Sequence, residues 1–157
     1  MLKYTDTEVV FKEVPDEITL AINLSNCPIH CPGCHSPHLW EDIGDELNEN
    51  SIKSLIESHP GISCVSLMGG DLCPKEVSDI LKYVKNTFKD IKTSWYSGRN
   101  IISKEIDLKN FDFIKIGPYI ESLGGLGKET TNQIMYKITN SGELIDITEK
   151  FRIKSWK

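Results

Sequence analysis

Two short runs rich in β-forming residues, 7–13 and 17–24, flank the turn-type sequence Val14-Pro15-Asp16, and this pattern predicts a hairpin. In the second run Ile18, Leu20, Ile22 and Leu24 alternate with Glu17, Thr19, Ala21 and Asn23, so one strand face is richly apolar. This is the first strand of the expected sheet. Leu39-Trp40 reads as a short helical turn, with Trp40 a core or lid aromatic. Asn50 or Ser51 then caps a helix with Ile52, Leu55 and Ile56 on its apolar side, ending at His59-Pro60-Gly61 with His59 solvated. Residues 62–68 form a nearly continuous apolar run, as expected of a parallel strand covered on both faces. Pro74 suits the first turn of a helix, and Val77, Ile80, Leu81, Val84 and Phe88 recur along it as one core stripe. Residues 91–96 and 111–116 are the third and fourth sheet strands, while 99–110 between them is weakly patterned. Gly124-Gly125-Leu126-Gly127 predicts a flexible loop, and 133–139 with 143–147 around Asn140-Ser141-Gly142 a C-terminal hairpin.

Strands alternating with helices indicate βα units, hence an α/β fold with a parallel sheet between terminal hairpins. No internal repeat or linker breaks the chain, so residues 1–157 are expected to form a single domain. Nothing has the length of a signal peptide's apolar region or of a bilayer span, which predicts a cytoplasmic protein and no membrane partner. The balance of 23 acidic against 18 basic residues, net −5 with no basic run, argues against nucleic acid as a partner.

In open parallel sheets ligands bind beyond the carboxyl ends of the strands. The residues that follow the four predicted strands are Cys27, Gly69-Gly70-Asp71, Ser97-Gly98 and Gly117-Pro118, so the chemically unusual side chains share one edge. Each glycine taken alone also suits an ordinary strand-to-helix turn. Of five cysteines, Cys27, Cys31 and Cys34 fall in a CxxxCxxC run interrupted by Pro and Gly. An odd count, grouped at ligand spacing in a reducing compartment, favours metal over disulfides. Two centres fit these thiolates. One is a 4Fe-4S cluster held by Cys27, Cys31 and Cys34 with its fourth iron open. The other is a tetrahedral zinc site completed by His35 or His38, which would make the chain a zinc-stabilised binding module. Cys64 reads as a buried strand residue, and Cys73 as near the site without ligating.

The CxxxCxxC run resembles the signature of radical S-adenosylmethionine enzymes. The fuller run CPxxCPGCHxxxxW resembles the activating proteins of anaerobic (class III) ribonucleoside-triphosphate reductases, which are glycyl-radical activases. The implied fold is a partial, open βα barrel of the radical S-adenosylmethionine type. The implied cofactors are a 4Fe-4S cluster and S-adenosyl-L-methionine. Gly69-Gly70-Asp71 resembles the family segment that meets the cofactor's methionine amino group, with glycine admitting backbone approach. Gly33, His35 and Ser97 join these as implied cofactor-binding residues. Gly33 stands where many relatives have an aromatic, a feature that the reductase activases share. Ile116-Gly117-Pro118 replaces the Asp-Gly-Lys of some relatives, which leaves Lys115 and Arg99 as candidates for the cofactor carboxylate. Thr130-Thr131-Asn132-Gln133 resembles the Ser/Thr-rich SNQ segment of these activases, and the likeness spans roughly residues 17–135. The implied reaction is reductive cleavage of S-adenosylmethionine to a 5'-deoxyadenosyl radical, which makes a glycyl radical on the large reductase subunit. A flavodoxin- or ferredoxin-type protein is the implied electron donor. Alternatives of the same class are an activase of pyruvate formate-lyase or another glycyl-radical enzyme, and a radical enzyme acting on a small metabolite. The 124–127 loop is expected to dock the protein substrate with Leu126 as an apolar anchor.

Overall fold

The computed structural model describes residues 1–31 and 37–152. Its strands are β1 (Lys3–Val10), β2 (Thr19–Leu24), β3 (Asp45–Glu46), β4 (Cys64–Met68), β5 (Lys92–Tyr96), β6 (Phe113–Ile116), β7 (Ile134–Ile138) and β8 (Leu144–Asp146). Its α-helices are α1 (Glu49–Glu57) and α2 (Pro74–Thr87). All eight strands join one sheet in the order β3-β1-β2-β4-β5-β6-β7-β8. The four inner strands β2, β4, β5 and β6 are parallel, in a register that sets Leu20 beside Val65 and Trp95 beside Ile114. Antiparallel pairs finish both ends, β1 on β2 and β7 on β6. The α/β class, the parallel centre and both terminal hairpins match the sequence reading.

Several details differ from that reading. The sheet is open as expected, with β3 and β8 as its edges, but the described residues contain only two α-helices and form no barrel. The crossover from β5 to β6 uses only a 3-10 turn, Leu108–Asn110, which Asp107 caps by accepting from the Lys109 N–H. Asn110 fixes that turn to α2 by donating from Nδ2 to Ser78 Oγ at 3.0 Å, so polar bonds replace an apolar stripe that the sequence would have shown. The first strand begins at Lys3, four residues before the expected run, because main-chain pairing of Tyr4 with Leu24 does not need β-forming side chains. α1 is capped by Asn48 rather than Asn50 or Ser51. Asn48 Oδ1 accepts from the Ser51 N–H at 2.9 Å, and Ser51 Oγ accepts from the Asn48 N–H at 2.8 Å. His59, expected in solvent, is half-buried and donates from Nδ1 to the Leu55 carbonyl at 2.7 Å, satisfying a helix-end acceptor.

Alternation along the strands builds two cores. Leu20, Ile22, Leu24, Val65, Leu67, Trp95 and Ile114 pack with Ile52 and Ile56 of α1 and the Val77, Ile80, Leu81 and Val84 stripe of α2. A smaller cluster holds Cys64 and Phe113 against Val14, Met135 and Leu126. Leu126 is therefore already committed: it is 8% exposed, and its role as a free docking anchor is withdrawn. The glycine loop around it is tied down as well. Thr131 Oγ1 donates to the Gly124 carbonyl at 3.0 Å, and Thr130 Oγ1 donates to the Leu123 carbonyl at 2.5 Å.

Burial in the smaller cluster pushes the Cys64 thiol up from 9.0 to about 12. Burial raises the neighbouring Tyr96 phenol in the same direction. Both groups are neutral in the folded protein at a pH where the unfolded chain ionises. The stability they contribute is thus complete below about pH 9 and is lost as pH rises toward 12, at most about 4 kcal/mol for the thiol. Urea midpoints measured from pH 7 upward should fall on the alkaline side, and Cys64→Ala should flatten that limb. An identical alkaline slope in the variant would show that Cys64 is not the group involved.

Candidate functional site

The carboxyl ends of the parallel strands are stitched together by their own backbone. The Gly69 N–H donates to the Tyr96 carbonyl at 3.0 Å, joining the β4 and β5 ends. The Ser97 N–H donates to the Lys115 carbonyl at 2.8 Å, and the Gly117 N–H to the Arg99 carbonyl at 2.6 Å, joining the β5 and β6 ends. Because β2 is parallel to β4, the chain leaving Leu24 for Cys27 emerges on this same edge. The predicted gathering of Cys27, Gly69-Gly70-Asp71, Ser97-Gly98 and Gly117-Pro118 is therefore what the sheet produces.

The cysteine loop is closed at its base. The Asn26 N–H donates to the Glu41 carbonyl at 2.8 Å and the Cys27 N–H to the Leu39 carbonyl at 2.9 Å. Asn26 and His30 take left-handed conformations at φ 60° and 49°, which bend the chain tightly at two points. The His30 ring stacks on Trp40 with centroids 4.6 Å apart, within or beside the expected helical turn, here a 3-10 turn at Pro37–Trp40. Trp40 is thus a wall of the cysteine loop, and its buried Nε1 finds no partner among the described residues. Ile29 leans on the β5 end, where a Cβ on Gly98 would come 2.8 Å from Ile29 Cγ1. Only glycine at 98 lets the two loops approach so closely.

Cys27 and Cys31 are free, half-buried thiols on this loop. Cys34, Gly33 and His35 lie outside the described residues. His38 is exposed, while Cys64 is sealed in the second core and Cys73 is the residue that precedes α2. Neither of the last two shares the loop.

Asp71, 4% exposed, spends its carboxylate inside the protein. Oδ1 accepts from Ser97 Oγ at 2.5 Å and Oδ2 from the Gly98 N–H at 2.8 Å. The Gly69 carbonyl accepts from Trp95 Nε1 at 2.6 Å. Asp71 and Ser97 are therefore brought together as expected, but as a clasp between two strand ends. Gly70 has φ +92°, and a Cβ there would press into Val77 Cγ2 at 2.7 Å and Leu24 Cδ1 at 2.9 Å. Its lack of a side chain serves core packing.

Lys115 is the buried cation of this edge. At 7% exposure it donates from Nζ to the Ser97 carbonyl at 2.9 Å and the Gly117 carbonyl at 3.1 Å, and sits 5.3 Å from the centre of the Tyr96 ring. Burial lowers it from 10.5 to about 8, against the opposing pull of Asp71, Cys31 and Cys27. Arg99, the other sequence candidate, is exposed. The Thr130–Gln133 segment reaches the same edge, with Asn132 Nδ2 donating to the Pro118 carbonyl at 3.0 Å and Gln133 Nε2 to the Gly117 carbonyl at 3.3 Å. The roles of Trp95 and Ile29 had no readable signal, since each looks like an ordinary apolar residue until the register places it.

These residues fit an iron–sulfur centre. Soft thiol donors stand together on a bent loop, a buried ammonium lies within electrostatic reach of both described thiols, and an indole N–H without a partner among the described residues borders them. For S-adenosylmethionine the fit is narrower, because Asp71 and the Gly69 carbonyl already have protein donors. Residues 18–136, from the start of β2 into β7, match the family model of the 4Fe-4S single cluster domain. No curated protein and no solved structure matches the chain.

Proposed function

The chain belongs to the 4Fe-4S single cluster domain family and is an iron–sulfur protein; from that premise we propose a radical S-adenosylmethionine activase that makes a glycyl radical on anaerobic ribonucleoside-triphosphate reductase. The supporting observation is a CxxxCxxC loop at the carboxyl edge of a parallel sheet, beside Gly69-Gly70-Asp71 and Ser97 on the next two strands. In this reading Cys27, Cys31 and Cys34 hold the cluster and leave one iron for the cofactor. When bound, the cluster supplies the electron that splits S-adenosylmethionine into methionine and a 5'-deoxyadenosyl radical.

The chain's own residues position and shield. In this reading Gly33, His35, Gly69, Gly70, Asp71 and Ser97 are the residues that bind the cofactor. The Asp71–Ser97–Gly98 clasp holds the β4 and β5 ends at a fixed spacing, and Ile29 against Gly98 seats the cysteine loop on them. Positioning of this kind is the protein's main contribution to cofactor-borne chemistry. A polypeptide substrate suits the surroundings. Leu72, Ile101 and Ile120 follow three successive strand ends and are 54%, 71% and 38% exposed, an apolar rim on the side where the chemistry would occur. A flavodoxin- or ferredoxin-type protein would deliver the electron in the cytoplasm. No described helix is long and apolar enough to cross a membrane.

Anaerobic reconstitution tests this directly. The protein should take up about four irons and four sulfides per chain, and with dithionite and S-adenosylmethionine it should release 5'-deoxyadenosine. With the reductase subunit added, a glycyl radical should appear by electron paramagnetic resonance. Zinc uptake without sulfide, or an iron-loaded protein that never releases 5'-deoxyadenosine, would refute the reading.

A further inference from the structure

We propose that Lys115 is a fixed positive charge beneath the cysteine loop that raises the cluster's reduction potential, acting through electrostatics rather than by ligation or cofactor contact. This rests on the reading above, in which the cluster sits on Cys27, Cys31 and Cys34.

A lysine has no packing reason to be where Lys115 is. It is flanked by Ile114 at 0% and Ile116 at 7% exposure, and every residue of β6 is buried. Each partner of its Nζ is formally neutral: the Ser97 and Gly117 carbonyls and the face of Tyr96. Among the described residues no carboxylate lies within ion-pair distance of it. A buried ammonium held only by carbonyls is costly unless a negative charge is near. The acidic groups that favour its charge are Asp71, Cys31 and Cys27. Asp71 keeps its negative charge but spends its oxygens on Ser97 and Gly98 and makes no ion pair with Nζ, so the thiols of the cysteine loop are the other acidic groups placed to balance the ammonium.

The placement is rigid. Nζ is bonded to carbonyls at the ends of two adjacent strands, Ser97 after β5 and Gly117 after β6. Ser97 adjoins Gly98, which touches Ile29 between Cys27 and Cys31. The ammonium is therefore held by a hydrogen bond to the segment on which the cysteine loop packs through Ile29. One-electron reduction adds one negative charge at that loop, and a nearby buried cation, poorly screened by solvent, favours the added charge.

The test is a spectroelectrochemical titration of the reconstituted protein at pH 7 with no S-adenosylmethionine present. Lys115→Met removes charge and donors, Lys115→Gln removes charge but keeps an N–H donor, and Lys115→Arg keeps charge. Met and Gln variants should both be harder to reduce by about tenfold in the reduction equilibrium, a shift of ~59 mV toward negative potential, while Arg stays near wild type. A merely structural role would move melting temperature and iron content without this ordering. Equal potentials in all four proteins would overturn the proposal while leaving the activase reading intact. So would an Arg variant that folds yet loses the cluster along with Met and Gln. A wild-type protein that takes up no iron and sulfide would sink both readings together.

Discussion

Cys27→Ala, Cys31→Ala and Cys34→Ala should each abolish cluster assembly, whereas Cys64→Ala and Cys73→Ala should retain iron and sulfide at the wild-type level. The expected contrast is close to all or none, because a cluster with one exchangeable iron has only three protein ligands and no spare. Cys27 and Cys31 lie on one loop whose base is pinned by the Asn26–Glu41 and Cys27–Leu39 main-chain bonds. Cys64 is fully buried in the second core with Phe113 and Met135. Cys73 is the residue before α2, half-buried against the main core and without a side-chain capping bond, so its loss should cost about 1 kcal/mol in stability. Iron and sulfide analysis after anaerobic reconstitution decides the matter. If Cys73→Ala lost iron as fully as Cys31→Ala, the ligand set would be wrong.

Much of this site was readable from the chain because two independent periodicities agree. The apolar runs fixed the order of the strands, and the residues that break each run, Cys27, Gly69, Ser97 and Gly117, then had to fall on one edge of a parallel sheet. The α2 stripe was equally clear, since Val77, Ile80, Leu81 and Val84 are buried where the spacing put them. What escaped was whatever depends on contacts between distant segments. The clasp of Asp71 with Ser97 joins residues 26 positions apart and leaves no local pattern. The helix-free crossover from β5 to β6 showed only as an absence of period, because Asn110 and Ser78 hold it by polar bonds. Leu126 was misread for a related reason. Three neighbouring glycines suggest freedom, but Thr130 and Thr131 fasten the loop from outside it and Val14 packs on the leucine from the far end of the chain.

Gly70→Val should unfold the protein rather than silence an intact one. A methionine moiety approaching the backbone would make glycine necessary from the ligand side, and the variant would then fold, hold iron and fail only in cleavage. The geometry points the other way. The Cβ direction at Gly70 runs into the main core, 2.7 Å from Val77 Cγ2 and 2.9 Å from Leu24 Cδ1, with Leu2 Cδ2 behind them at 3.6 Å. Val77 is locked in the α2 stripe and Leu24 in the β2 register, and both are essentially unexposed, so neither has room to retreat. A branched side chain adds overpacking of about 1–3 kcal/mol, and a non-glycine residue at φ +92° adds strain of about 1–3 kcal/mol more. The combined cost, about 2–6 kcal/mol, is comparable to the whole stability of a small domain. Urea denaturation of the metal-free chain, where no cofactor is involved, should show this loss directly. Gly69→Ala provides the control: at Gly69 an added Cβ meets only the Leu24 carbonyl oxygen at 3.4 Å and the Leu24 Cβ at 3.5 Å, so backbone strain at φ +112° is its main expense. Its urea midpoint should fall by much less. If Gly70→Val instead denatures with the wild type and loses only cofactor cleavage, the glycine serves the ligand and not the core.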